Sequence, residues 1–147
     1  MLLQITLGSA LLLMSILIAG GSLWFMEYAL FRASPWLTRE PHRAKMMLVV
    51  CIASIWALGV VTAGVWLWAL SLWSLGIFAD IESSVYFSLV AFTTLGFGDI
   101  LLPQEWRLLS GLAATNGLLS FGVLTAILVE AVRQVRLRQL SLKKGDG

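Results

Sequence analysis

Charged residues cut this chain into long apolar stretches. Residues 2–26, 46–79 and 108–129 contain no Asp, Glu, Lys or Arg. A helix needs about 20 apolar residues to cross a bilayer, so each stretch is long enough. A fourth uncharged stretch, residues 83–98, has only 16 residues. That is short for a crossing and suits a segment that enters the membrane and turns back. The pattern predicts an all-α membrane protein with three transmembrane helices and one re-entrant helix. The helices are expected over 2–30, 44–73 and 105–138, with the short one over 82–93.

Local signals mark the ends. Pro35 and Pro41 punctuate the connection after the first helix, Gly76 ends the second, and Pro103 closes the loop before the third. Asp80 or Ser83 caps the short helix, whose acids suit a first turn. Ser9, Ser15, Ala19 and Ser22 are small residues at helical steps, as are Ala53, Ala57 and Gly59-x-x-x-Ala63. Such residues let helices approach closely in lipid, and the first helix is expected to pack peripherally on the second. Ile18–Ser22 has the look of a signal-peptide cleavage region, but Met1-Leu2-Leu3-Gln4 carries no positive charge and the apolar part is too long. The first helix is read as retained.

Composition agrees with the membrane class. The chain is 59% hydrophobic and 12% charged, against about 25% charged in a soluble domain. Its seven Trp fit a chain with membrane–water interfaces. A net charge of +2 is too small to argue for nucleic acid. Cys51, the single cysteine, lies in an apolar run and is read as packing. His42 stands alone in a basic loop. The helices hold no paired carboxylates, nucleophile–base pair or metal-ligand cluster, which argues against an enzyme.

The cations set an orientation. Arg32, Arg39, Arg43 and Lys45 lie between the first and second helices, and Arg133, Arg136, Arg138, Lys143 and Lys144 follow the third; only Arg107 lies elsewhere. The positive-inside rule places both groups in the cytoplasm, with the N-terminus and the 73–106 region outside. Trp66, Trp68, Trp73 and Trp106 then fall near the outer face, and Trp24 and Trp36 near the inner one. The tail from Ala131 to Lys144 is a basic amphipathic segment. It serves either as a topology signal or as a contact for anionic lipid headgroups.

The chemistry concentrates at Thr93-Thr94-Leu95-Gly96-Phe97-Gly98-Asp99. Irregular backbone at membrane depth is tolerated only inside protein or beside water. Glycines at alternate positions open backbone angles closed to other residues and let successive carbonyls face one axis. A ring of such carbonyls can replace the hydration shell of potassium. Thr94 adds a hydroxyl, Leu95 and Phe97 turn their side chains away from the axis, and the short helix aims its partially negative C-terminal end at a cavity.

This segment resembles the potassium-channel signature T-T-x-G-Y/F-G-D. Asp80 through Pro103 resembles the pore helix, filter and turret of the two-helix ion-channel family. Gly117, Ser120-Phe121-Gly122 and Thr125-Ala126 are similar to the inner helix of its bacterial members. The resemblance covers about residues 46–130 and implies a homotetramer conducting potassium passively, with potassium bound at Thr94, Leu95, Gly96, Phe97 and Gly98. It implies a pore domain over 46–130 (outer helix 46–73, pore helix 82–93, filter 94–99, inner helix 105–130). A peripheral N-terminal helix (1–31), a cytoplasmic loop (32–45) and a basic cytoplasmic tail (131–147) complete the chain. Leu118, Phe121, Thr125 and Val129 are implied to line the cavity and lower pore, and Gly117 matches a hinge position. No cofactor is expected beyond the permeant ion, and a prokaryotic inner membrane suits so compact a chain.

The departures are as informative. Phe97 stands for the commoner Tyr, which removes a hydroxyl behind the filter. Val90 stands where some bacterial members place a buried Glu that bonds the Asp after the filter. Tyr86 is in reach of Asp99 instead, and Thr93, Asp99, Tyr86 and Val90 are read as filter support. The filter is expected to rest more on packing than on polar bonds. Asp99 both attracts cations and braces the filter. Asp80, Glu82 and Glu105 either concentrate cations at the mouth or are solvated loop charges. Asn116 is expected to bond the pore helix, and Glu130 to pair in solvent with Arg133 or Arg136. The first helix has no Arg or Lys at three-residue steps, so it is no voltage sensor, and no role in conduction is assigned to it. Two alternatives stay open: a weakly selective sodium/potassium channel and a non-conducting membrane scaffold.

Overall fold

The computed structural model describes residues 1–37 and 42–145. Four α-helices make up the described chain: α1 (Leu2–Leu37), α2 (His42–Ser74), α3 (Ile81–Phe92) and α4 (Arg107–Gly145). A short 3-10 turn, Gln104–Trp106, leads into α4. Three stretches are long and apolar enough to cross a membrane: Leu2–Tyr28, Met47–Ser74 and Gln104–Glu130. The all-helical, three-span class expected from the charge pattern is the observed one.

The helices run further than the pattern suggests. α1 continues to Leu37, passing Pro35 in its last turn, where the missing N–H forgoes a bond to the carbonyl four residues earlier. α2 begins at His42, so the connection expected over 32–45 is largely helical. Residues 38–41, with Arg39 and Pro41, lie outside the described residues, as do the side chains of His42, Arg43, Lys45 and the tail lysines. α4 extends through the basic tail without a break, since no Gly or Pro interrupts residues 123–144.

The core lies where α2, α3 and the first half of α4 meet. Val65, Trp68 and Leu72 of α2 pack with Phe87 and Phe92 of α3 and with Leu109 and Ala113 of α4. Large apolar side chains elsewhere, such as Leu17, Ile55 and Leu58, face outward, as helices in lipid do. Lipid tails are as apolar as leucine, so close packing and interhelical hydrogen bonds, rather than water exclusion, hold such helices together.

Three expectations change. α1 lies chiefly along α4 rather than α2, because its polar partners and a glycine contact are on α4. It meets α2 toward its other end, where Phe25 stacks on Trp56 with ring centroids 5.3 Å apart. Trp68 is not an interface residue: it is 0% exposed at the centre of the bundle, while Trp66 and Trp73 stay about half exposed. Cys51 is exposed on α2 rather than packed.

Candidate functional site

The short helix is capped on both sides by its own sequence. Asp80 has extended backbone angles and accepts the Ser83 backbone N–H at 2.6 Å, and the Ser83 hydroxyl adds a second bond at 3.1 Å. Asp80, not Ser83, is therefore the N-cap of α3. These bonds stabilise the charged form, led by the Ser83 backbone N–H, and hold the Asp80 carboxyl below the usual carboxylate range. Glu82 follows in the first turn, where negative charge suits the positive end of the helix dipole.

The other end of α3 is wedged by Phe92. Its ring lies over Gly64 of α2, where an added Cβ would sit 3.1 Å from ring carbon Cε1. Its carbonyl oxygen lies against Gly117 of α4, where an added Cβ would sit 2.1 Å away. Two glycines on two helices thus seat one residue, and that residue directly precedes Thr93-Thr94. Gly117, read from resemblance as a hinge, makes this close approach. Neither Gly64 nor Phe92 stood out in the sequence. The signal was the aromatic residue at the junction of helix and glycine-rich segment.

Beyond Phe92 the backbone changes hand at every second residue. Thr94, Gly96 and Gly98 have φ of 58°, 56° and 77°. Thr94 N–H donates to Ala91 O at 3.0 Å and Leu95 N–H to Val90 O at 3.1 Å. This is a Schellman cap with Thr94 in the left-handed position usually held by glycine. A β-branched residue at positive φ is a conformational outlier and costs about 1–2 kcal/mol. Regular alternation of hand turns successive peptide units the same way, N–H groups to one side and carbonyls to the other. A row of carbonyls on one side is a ligand set for a dehydrated cation.

The side chains around this segment divide sharply. The Tyr86 hydroxyl donates to Asp99 Oδ2 at 2.6 Å, a bond from α3 to the residue that follows the glycine segment. It is the leading cause that holds the Asp99 carboxyl below its ordinary range. The Thr93 hydroxyl folds back onto Leu89 O at 2.8 Å. Leu95 and Phe97 are 60% and 66% exposed, so within one chain most of their surface is uncovered, and Val90 is half-buried. On α4, Leu118, Phe121, Thr125 and Val129 are all exposed, at steps that keep them on one helical face. The Thr125 hydroxyl is turned to Phe121 O at 2.8 Å. Glu130 pairs with Arg133 at 2.9 Å in an exposed setting.

Asn116 departs from expectation. It is fully buried, and its amide donates to Ser15 Oγ of α1 at 2.8 Å rather than to the pore-helix segment. The reason is its place on α4, on the face that α1 covers.

Residues 46–134 match the family model described as Ion channel. The match takes in α2, α3, the glycine segment and most of α4, more than half the chain, and leaves α1 outside it. No curated protein and no solved structure gives a significant match. The chain belongs to this ion-channel family of two-helix pores, and with its three apolar spans it is an integral membrane protein.

Proposed function

We propose that four copies of this ion-channel chain form a potassium-selective pore, with Thr94, Leu95, Gly96, Phe97 and Gly98 as the filter. The observation that carries the reading is the alternation of left-handed residues at 94, 96 and 98, which supports a row of carbonyls along one side of the segment. One chain supplies one such row, and a closed ring is the economical way to surround an ion. The exposure of Leu95 and Phe97 supports assembly, since neighbouring chains would cover them. The exposed face of Leu118, Phe121, Thr125 and Val129 would then border the cavity.

The ion enters past Asp99, whose charge Tyr86 stabilises. It exchanges water for carbonyls between Gly98 and Thr94 and leaves into a cavity faced by the C-terminal end of α3. The excess of Lys and Arg at 32–45 and 133–144 supports a cytoplasmic end of α4 with the N-terminus and Asp99 outside, and in that orientation the basic tail would lie level with anionic headgroups. The test is flux from protein reconstituted in liposomes under a potassium gradient. Potassium flux that excludes sodium and stops with barium is the expected result. Equal sodium and potassium flux would replace selectivity with a weakly selective pore, and absence of flux from open-gate variants would leave a scaffold.

A further inference from the structure

We infer that Gln4, Ser15 and Asn116 are positioning residues for the filter, through which α1 sets the seat of α4 against the pore helix α3. The inference rests on the conducting reading above and assigns a role to the helix outside the family match.

α1 and α4 run parallel and share a seam with three points of register. At the outer end, the Gln4 side-chain carbonyl accepts the Leu108 backbone N–H at 3.2 Å, and its amide donates to the Glu105 carbonyl. The first N–H groups of a helix have no partner inside it, so α1 supplies one to α4. One turn further, Gly8 lies against Leu112 and Leu109, and an added Cβ would fall 2.3 Å from Leu112 Cδ1. Two turns further, Asn116 donates to Ser15 at 2.8 Å with both residues buried. The Ser15 hydroxyl proton is committed to Leu11 O at 2.9 Å, so its oxygen can only accept, which fixes the amide orientation. Asn116 Oδ1 is buried without a partner, so Ser15 carries the whole polar satisfaction of that side chain.

The next residue after Asn116 is Gly117, which rests on the Phe92 carbonyl. Phe92 is two residues from Thr94, where the left-handed alternation begins. The path Ser15–Asn116–Gly117–Phe92 therefore runs from the outermost helix to the inner end of the filter through direct contacts. Between apolar helices in lipid, packing alone allows sliding, whereas the hydrogen bonds at the two ends of the seam, the Asn116–Ser15 bond buried and the Gln4 bonds partly so, fix one register. A shift of α4 along α1 moves Gly117 off Phe92.

Single-channel recording in planar bilayers tests this with S15A, N116L, the double variant and Q4L. The expected result is a change in open probability of at least about twofold for each single variant, with unitary conductance unchanged. The double variant S15A/N116L should match the singles rather than sum them, and S15T, which keeps the hydroxyl, should behave as the parent. A purely structural seam would lower the heat resistance of the assembly and leave open probability alone, and that outcome overturns the inference. If S15A or N116L fails to assemble, Q4L at the outer end of the seam decides by the same criterion. Absence of current from the parent and from its open-gate variants alike defeats the channel reading and this inference with it; where only an open-gate variant conducts, the same substitutions are read in that background, and current with unaltered variants defeats only the inference.

Discussion

Two helices in this chain end in the same way with different residues. α2 closes on Gly76, with Gly76 N–H to Trp73 O at 2.9 Å and Ile77 N–H to Leu72 O at 3.2 Å. α3 closes on Thr94 with the same pair of bonds, at 3.0 and 3.1 Å. The φ values, 68° and 58°, are close. Glycine is the low-strain residue for this position, and threonine carries a penalty of about 1–2 kcal/mol there. The first end only turns the chain toward the loop before Asp80. The second begins the segment with alternating left-handed residues at 94, 96 and 98, the proposed row of carbonyls to which the Thr94 hydroxyl would add a further oxygen. Strain of this kind persists where the surroundings overdetermine it, and it collects at functional sites. Phe92, held between Gly64 and Gly117, supplies that overdetermination.

Substitutions can break this comparison in order of severity. Gly96→Ala should be the most damaging: a Cβ would meet nothing at either Gly76 or Gly96, so the cost at both is that of positive φ, but at Gly96 it falls in the proposed filter. The strain of about 1–2 kcal/mol per chain falls on the carbonyl row, so potassium flux should disappear while circular dichroism keeps its helical signal. Thr94→Gly comes next. It relieves the cap but removes the hydroxyl, so potassium-over-sodium selectivity should fall roughly tenfold, the scale of a lost ligand to a charged group. Its thermal stability should change by less than about 1 kcal/mol, since relief of strain and added chain entropy oppose each other.

Tyr86→Phe should act more gently, altering the decay of current in a sustained gradient by roughly two- to fivefold, as expected for an exposed charge-assisted bond. The same bond predicts a pH window. A carboxyl with a depressed folded pKa contributes stability fully above its ordinary value, about 3.9, and loses it as pH falls through the depressed one. Acidifying the outer side from pH 7 to 5 should thus leave the decay unchanged, with a change only below about pH 4 that Tyr86→Phe lacks. A step near pH 6 would mean another group controls it. Gly76→Ala should have the smallest functional effect: a loss of about 1–2 kcal/mol in stability with selectivity intact. If Gly76→Ala altered selectivity as strongly as Thr94→Gly, the distinction between the two ends would fail.

Much of this was legible in the sequence because membranes impose simple rules. Stretches without charge become spanning helices, and an undersized one between them must turn back. Asp80, Gly76 and the glycines at 96 and 98 signal their geometry through residue type. Thr94 does not, since nothing in a threonine announces positive φ; only the two-residue spacing to Gly96 and Gly98 hints at it. The pairing of α1 with α4 was equally hidden. Small residues on α1 show that something packs closely, but which helix does so depends on Gln4, Ser15 and Asn116 meeting across more than 100 residues of chain. Trp68 misled in the same way, because a tryptophan near a helix end reads as an interface residue until the fold places it in the core.

The central claim is that the alternation at Thr94, Gly96 and Gly98 forms a ring of carbonyls for dehydrated cations. Crystals of the assembled protein grown in rubidium test it most directly. The account predicts anomalous peaks spaced along a symmetry axis, level with the carbonyls of Thr94 through Gly98. Rubidium confined to the Asp99 ring, with none between Gly98 and Thr94, would contradict it.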